Sequence, residues 1–490
     1  MQREFLLNIL FLVAINLLIK PFFIFGIDLQ VQNRLPEGDY GLYFTLLNFT
    51  YLFQILNDFG IQNFNNRHVS QHPVLLSKYF PNLLFIKFLL GVLYVGVTVL
   101  AAWGLAGYGL RELPLLGILL FNQVLAQGIL FLRSNISGLG HYRLDSALSS
   151  LDKLLMLFSC GALLWAMPSA RLSAESFALA QTVALVITAL VVALVLRRKV
   201  DIRIRASWLR NWRNGRPAVL ALFRKSYPYA LVILLMTAYT RLDAVLLERL
   251  LPDGRQHADV YAGAYRLLDA ANMLGYLFAT LLLPMFARML RRRADVRPLV
   301  SAGFRLIWVG SVTLAVVVFF ARSELIQLMM PERASEYRAD TLGLLFWAFV
   351  PVCTIYIFST LLTADERLGA MNRIFVAGIV LDVLLNLLLI PRYQAFGAAT
   401  ATLCTQMFVA LGMMALCLRY FRLWPSTGGL VRTLGFAATV LAAGMLFFNQ
   451  TTLSWPIRSG LVVVVALAAA LAFRQVDFRQ LRALKKPAAT

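Results

Sequence analysis

The chain has 490 residues, 60% of them hydrophobic and 14% charged, with a formal net charge of +22 and a mean hydropathy of +0.73. That is more apolar surface than a water-soluble domain buries, so a soluble enzyme or binding module is excluded and lipid is the solvent for much of the chain. The basic excess would point to nucleic acid in a soluble protein, but here its placement assigns it to membrane topology and to anionic lipid.

A bilayer core of ~30 Å takes about 20 apolar residues per helix, and that ruler predicts an all-α polytopic protein of about fourteen transmembrane helices. The first, Phe5–Ile27, follows Arg3 but is too long for a secretory signal, carries Lys20 and Pro21 and lacks a small-x-small cleavage site, so it reads as a retained helix. Gly41–Phe64, Tyr79–Trp103, Leu113–Ile136, Leu148–Met167 and Ser176–Leu196 complete a first set of six. Phe223–Leu247, Val260–Phe286, Phe304–Ala321, Leu342–Leu362, Asn372–Ile390 and Phe396–Leu418 make a second set, followed by Leu430–Phe448 and Ile457–Phe473.

Basic residues fall on alternate loops. Ten lie between Arg197 and Lys225 against the single acid Asp201, and Arg288, Arg291, Arg292, Arg293 and Arg297 share another connection. The opposite loops mix signs, as in Glu248, Arg249, Asp253, Arg255 and Asp259, which places both termini in the cytoplasm. The passage Arg34-Leu35-Pro36-Glu37-Gly38-Asp39-Tyr40-Gly41-Leu42-Tyr43 is echoed by Arg249-Leu250-Leu251-Pro252-Asp253-Gly254 and Val260-Tyr261-Ala262-Gly263-Ala264-Tyr265. This predicts a duplication: an N-terminal lobe over 1–200, a basic cytoplasmic linker over 201–222, a C-terminal lobe over 223–420, and two further helices with a basic tail over 421–490. Six helices per lobe make the two parallel, related by an axis along the membrane normal. Cys160, Cys353, Cys404 and Cys417 all lie within apolar spans, as packing residues without metal spacing, and the four histidines do not converge.

The Arg34–Tyr43 passage followed by Asn57-Asp58-Phe59-Gly60, the Arg241-Leu242-Asp243 and Tyr265-Arg266-Leu267 passages with Leu283-Pro284 after them, and Leu385–Pro391 leading to Phe396-Gly397-Ala398-Ala399 resemble one family over nearly the whole length. It is that of the lipid-linked oligosaccharide flippases of bacterial polysaccharide synthesis, in one superfamily with multidrug and toxin extrusion transporters and peptidoglycan-precursor flippases. Gln394-Ala395 departs from the pattern, in which Gly comes soon after the Pro. The resemblance implies two six-helix lobes in a V around a central cavity that opens alternately to either side, in the bacterial cytoplasmic (inner) membrane. It implies an undecaprenyl-pyrophosphate-linked repeat unit as substrate, with polysaccharide polymerase machinery as a partner and O-antigen or related lipopolysaccharide as the destination.

Charges inside spans carry a separate argument, because each costs ~2.5–3.5 kcal/mol at a helix centre unless it faces water or a partner. Lys20, Lys87, Arg133, Lys153, Arg241 and Arg266 are the basic candidates for holding a pyrophosphate, whose hydration must be replaced by N–H donors. Tyr51, Gln54 and Asp58 in the second span, with Gln123 and Gln127 in the fourth, recur at helical spacing as a polar wall for sugars. For Lys20, Arg133 and Lys153 the competing reading is snorkelling to the interface, and for Arg266 with Asp269 an ion pair along one helix face. Arg241 and Asp243 point apart on one helix, so at least one needs a partner on a neighbouring helix.

The chain has no G-x-x-x-x-G-K-[ST] loop, so secondary transport driven by protons, sodium or product consumption is expected rather than ATP hydrolysis. Asp382 with Asn386 is the leading ion-coupling site and Asp243 and Asp269 the second rank, against the reading of buried acids hydrogen-bonded to a neighbouring helix. No cofactor or metal is expected, and the protein reads as a transporter, not an enzyme. A cation-coupled multidrug antiporter is the near alternative and a membrane-embedded glycosyltransferase or polymerase the distant one. Basic residues within the spans favour an anionic cargo over the first, and short outer loops disfavour the second.

Overall fold

A computed structural model describes residues 19, 21–62, 65, 69, 76–166, 172–199, 208–423, 426–449 and 453–475. The described residues form helices and no strand, as a chain in hydrocarbon must when every backbone N–H and C=O has to be satisfied within its own segment. In chain order the helices are α1 (Leu29–Arg34), α2 (Asp39–Leu52), α3 (Leu76–Gly104), α4 (Leu113–Gly138), α5 (Tyr142–Gly161), α6 (Ala174–Lys199), α7 (Trp208–Leu250), α8 (Gly254–Arg291), α9 (Arg297–Phe320), α10 (Arg322–Met329), α11 (Glu336–Phe346), α12 (Phe349–Ala364), α13 (Leu368–Phe421), α14 (Thr427–Phe448) and α15 (Trp455–Ala472).

Among the described residues, 11 helical stretches are long and apolar enough to cross a membrane. The difference from fourteen has three causes. Most of the first span, including Lys20, lies outside the described residues. The second span is interrupted, and the eleventh and twelfth run together as α13, which bends where Gln394 takes φ 55° and ψ −130°. At that bend the Ala395 N–H donates to the Tyr337 hydroxyl at 2.8 Å, and a Cβ on Gly397 would lie 2.4 Å from the Leu389 carbonyl oxygen. Gln394 thus holds a left-handed φ without the glycine that would relieve it, at a cost of order 1–3 kcal/mol. The second half of the basic connection, from Trp208 on, is helical and continuous with the seventh span.

The chain forms two compact units, Met1–Asp259 and Val260–Thr490. In the first, α6 packs on α4 and α5, and α7 packs on α2 and α3. The entry to α2 is tight: Gly38 has φ 86°, and a Cβ on Gly41 would lie 1.9 Å from the Arg255 carbonyl oxygen. The two echoing turns of the sequence therefore meet backbone to backbone, tied further by Gln32, whose Nε2 donates to the Asp259 carbonyl oxygen at 2.8 Å. In the second unit α9 packs against α12, α14 and α15, and Arg458 of α15 pairs with Glu324 of α10 at 3.1 Å. Trp308, Trp347, Cys404 and Met407 border an apolar cavity of about 510 Å³ there.

Candidate functional site

The second span breaks within its apolar stretch. After Leu52 the α-helix gives way to a 3-10 turn, Gln54–Asn57, and Phe59 and Gly60 take φ 47° and 80°. Asn-Asp-x-Gly supplies the break locally: Asn and Asp offer the backbone side-chain hydrogen bonds in place of the helical ladder, and Gly tolerates the left-handed turn. The Asp58 carboxylate accepts from the Gly60 N–H at 3.2 Å.

A break in hydrocarbon leaves carbonyls that need new donors. Helix α3 provides two on one face, two turns apart. The Tyr94 hydroxyl donates to the Thr50 carbonyl oxygen at 3.0 Å. The Lys87 ammonium donates to the Asn57 carbonyl oxygen at 2.9 Å and to the Asp58 carboxylate at 2.7 Å. From α4, Gln123 accepts at 3.4 Å from Gln54 through its side chain and at 3.4 Å from Asn57 through its backbone. From α7, Arg241 donates to the Asn48 side chain at 3.3 Å, with its guanidinium 5.3 Å from the centre of the Tyr51 ring. The outcome is a polar centre inside the first unit, fed by four helices. Its orientation is the reverse of a soluble protein's: Lys87 is 7% exposed while its neighbour Phe88 is 65% exposed.

Of the residues singled out in the sequence, the structure brings together Tyr51, Gln54, Asp58, Lys87, Gln123 and Arg241, with Gln127 half-buried one turn beyond Gln123 on α4. Arg133 is placed otherwise, paired with Asp145 at 2.8 Å. Lys153 lies 3.6 Å from Asp152 and over the Phe23 ring. Arg266 and Asp269 are half-buried on α8 in the second unit. Asp243 is buried on α7, and Asp382 and Asn386 are both fully buried on α13. There the Asn386 side chain donates to the Asp382 backbone carbonyl at 2.9 Å, and Gly378, one turn earlier, lies against Val409 and Thr405 of the returning half of α13. Asn48, Asn57 and Tyr94 were not singled out as site residues. Asn57-Asp58-Phe59-Gly60 entered the sequence reading only as part of the family resemblance, within a span expected to be continuous; Tyr94 gave no signal, since a lone Tyr in an apolar span reads as packing.

A second polar cluster closes the end of this unit that carries residues 105–112. Glu248 accepts from Tyr108 at 3.2 Å and pairs with Arg249 at 2.9 Å, while Arg255 bridges Glu112 at 2.6 Å and Glu248 at 3.5 Å. Burial pushes the Glu112 carboxyl up, but the hydrogen bond from Arg255, those from backbone N–H groups and the guanidinium charge outweigh it and hold the group below its ordinary value. Among the described residues no group of three His, Cys, Asp or Glu side chains is arranged to hold a metal ion.

This architecture has known counterparts. It superposes on the lipid II flippase MurJ in an inward closed conformation with a TM-score of 0.70 and 12% identity, covering 96% of this chain and 99% of that one. It also matches an inward-facing MATE family transporter of the MOP superfamily, with a TM-score of 0.64 and 13% identity over 84% of this chain and 98% of that one. At such identities the likeness is one of fold. In sequence, 28% of 282 residues are identical to the probable multidrug resistance protein NorM of Mesorhizobium japonicum, a match that takes in 53% of this chain and 58% of the relative's length. The model of the family described as polysaccharide biosynthesis protein matches residues 5–290, and with more than half of its length so matched the chain belongs to that family.

Proposed function

We propose that the protein is a flippase that carries undecaprenyl-pyrophosphate-linked oligosaccharide repeat units from the cytoplasmic to the outer leaflet of the bacterial inner membrane, for O-antigen or a related cell-surface polysaccharide. It works by alternating access as a secondary transporter, without chemistry on the cargo. The observation that carries the reading is the polar centre at the broken second span, where Asp58 neutralises Lys87 and Arg241 brings a further positive charge. Lys87 and Arg241 reach it from different helices, beside amides and a tyrosine suited to hydroxyl-rich sugars. A diphosphate leaving water needs such N–H donors, Arg as a fork and Lys as a point charge. The polyprenyl tail remains in lipid throughout, so only the headgroup requires a polar path. Membership of the polysaccharide biosynthesis family supports a glycolipid cargo.

The test is deletion in the native bacterium, with pyrophosphate-linked oligosaccharide measured on the cytoplasmic leaflet. Accumulation that wild-type protein reverses and Arg241→Glu does not is the expected result; unchanged glycolipid levels would refute the reading. The similarity to a protein named for multidrug resistance supports the rival reading, extrusion of organic cations. Drug efflux by the purified protein, without glycolipid transfer, would establish that instead.

A further inference from the structure

We infer that the Lys87 ammonium is a built-in cation, filling a monovalent-cation site formed by the Asp58 carboxylate and the Asn57 carbonyl, so that this centre needs no bound sodium. The inference does not rest on the flippase reading.

The ligand set is the starting point. A helix broken within an apolar span exposes carbonyl oxygens, and together with a carboxylate these are the groups by which discontinuous helices coordinate Na⁺. Here both converge on one point, with the Lys87 nitrogen 2.7 Å from the Asp58 oxygen and 2.9 Å from the Asn57 oxygen. The point is enclosed: the side chain of Lys87 is 6% exposed and that of Asp58 17%. Asn57 is fixed in turn by its bond to the Gln123 backbone. Gly91, one turn beyond Lys87 on α3, packs near the Asn57 side-chain oxygen and Val124, to which a Cβ there would lie 3.8 and 3.6 Å away. A tethered ammonium supplies the charge a free ion would bring, without the entropy of capturing one from solution. If Lys87 is shortened, the carboxylate stays buried and must take either a metal cation or a proton.

Lysine-to-alanine vacates the volume of the side chain beyond Cβ; lysine-to-methionine removes the charge but keeps the space filled. Full-length wild type, Lys87→Ala, Lys87→Met, Lys87→Ala/Asp58→Asn and Lys87→Met/Asp58→Asn are unfolded thermally at pH 8 in NaCl and in choline chloride of equal ionic strength. Wild type, and separately the less stable Lys87→Met, should each show no difference in melting temperature between the two salts. Lys87→Ala should melt lower in choline and rise saturably with Na⁺, by about 1–2 °C at a tenfold excess over the dissociation constant, and Asp58→Asn should abolish the rise. Equal melting of Lys87→Ala in both salts would overturn the inference, as would recovery on acidification but not with Na⁺. So would a Lys87→Ala protein that folds in neither salt while Lys87→Met/Asp58→Asn, with no charge left in the site, folds in both.

Discussion

Replacing one partner of the Lys87–Asp58 pair should be far more damaging than replacing both. The pair is 2.7 Å apart with side chains 6% and 17% exposed, so the charges attract in a medium that screens them weakly. Desolvation offsets much of that gain, and removing a single partner leaves an uncompensated buried charge at a cost of about 3–5 kcal/mol. Lys87→Met carries the further loss of the bond to the Asn57 carbonyl, about 1 kcal/mol. We therefore expect Lys87→Met and Asp58→Asn each to lower unfolding free energy by about 3–5 kcal/mol, and the double substitution by roughly 2 kcal/mol or less. Reversible unfolding in mixed detergent micelles, in sodium-free buffer near neutral pH, measures the cycle. A coupling of at least ~2 kcal/mol is the expected result. Additive losses would show that the two groups do not stabilise each other and that the break is held by something else.

Tyr94→Phe keeps the buried ring and removes only the donor to the Thr50 carbonyl, so it should cost about 1–2 kcal/mol in the same assay; no change would mean that carbonyl is satisfied elsewhere. Gly41→Ala drives a Cβ into the Arg255 backbone and should cost about 3 kcal/mol or more, whereas Gly96→Ala, with nothing within 4 Å of its added Cβ, should be neutral or gain up to ~1 kcal/mol. Glu112 has a depressed folded-state value, so its contribution is present above its unfolded value of ~4.3 and fades as the pH falls through the folded one. Glu112→Gln should therefore cost about 1 kcal/mol at pH 7 and nothing at the acid end, a convergence that melting curves across pH will show or exclude.

The helical architecture was legible because hydropathy is additive along the chain: any window of ~20 apolar residues has one way to satisfy its backbone in lipid. Interruptions were harder to read. The second span scores as a continuous helix because Phe53, Ile55, Leu56 and Phe59 keep it apolar around the Asn-Asp-x-Gly turn, and only the donors on α3 make the break affordable. Lys87 was legible as a buried charge, since nothing in its span neutralises it, but its partner depended on a helix contact that no local pattern encodes. Arg133 shows the converse. Its acid, Asp145, lies just across the loop at the start of α5, and the local pairing separates it from the centre formed around Lys87. The bend at Gln394 was marked in the sequence by Pro391 and by the missing glycine, yet the hydroxyl that stabilises it comes from Tyr337, far away in the chain.

Translocation by the purified protein tests the account most directly. Proteoliposomes carrying a fluorescent undecaprenyl-pyrophosphate oligosaccharide on one leaflet would be sampled for its arrival on the other. Wild-type protein should accelerate transfer, with Lys87→Met and Arg241→Ala slowed at least about tenfold, the equivalent of losing one charge-assisted hydrogen bond. Transfer at wild-type rate in both variants, or none by the wild type, would contradict a cationic centre that carries the diphosphate.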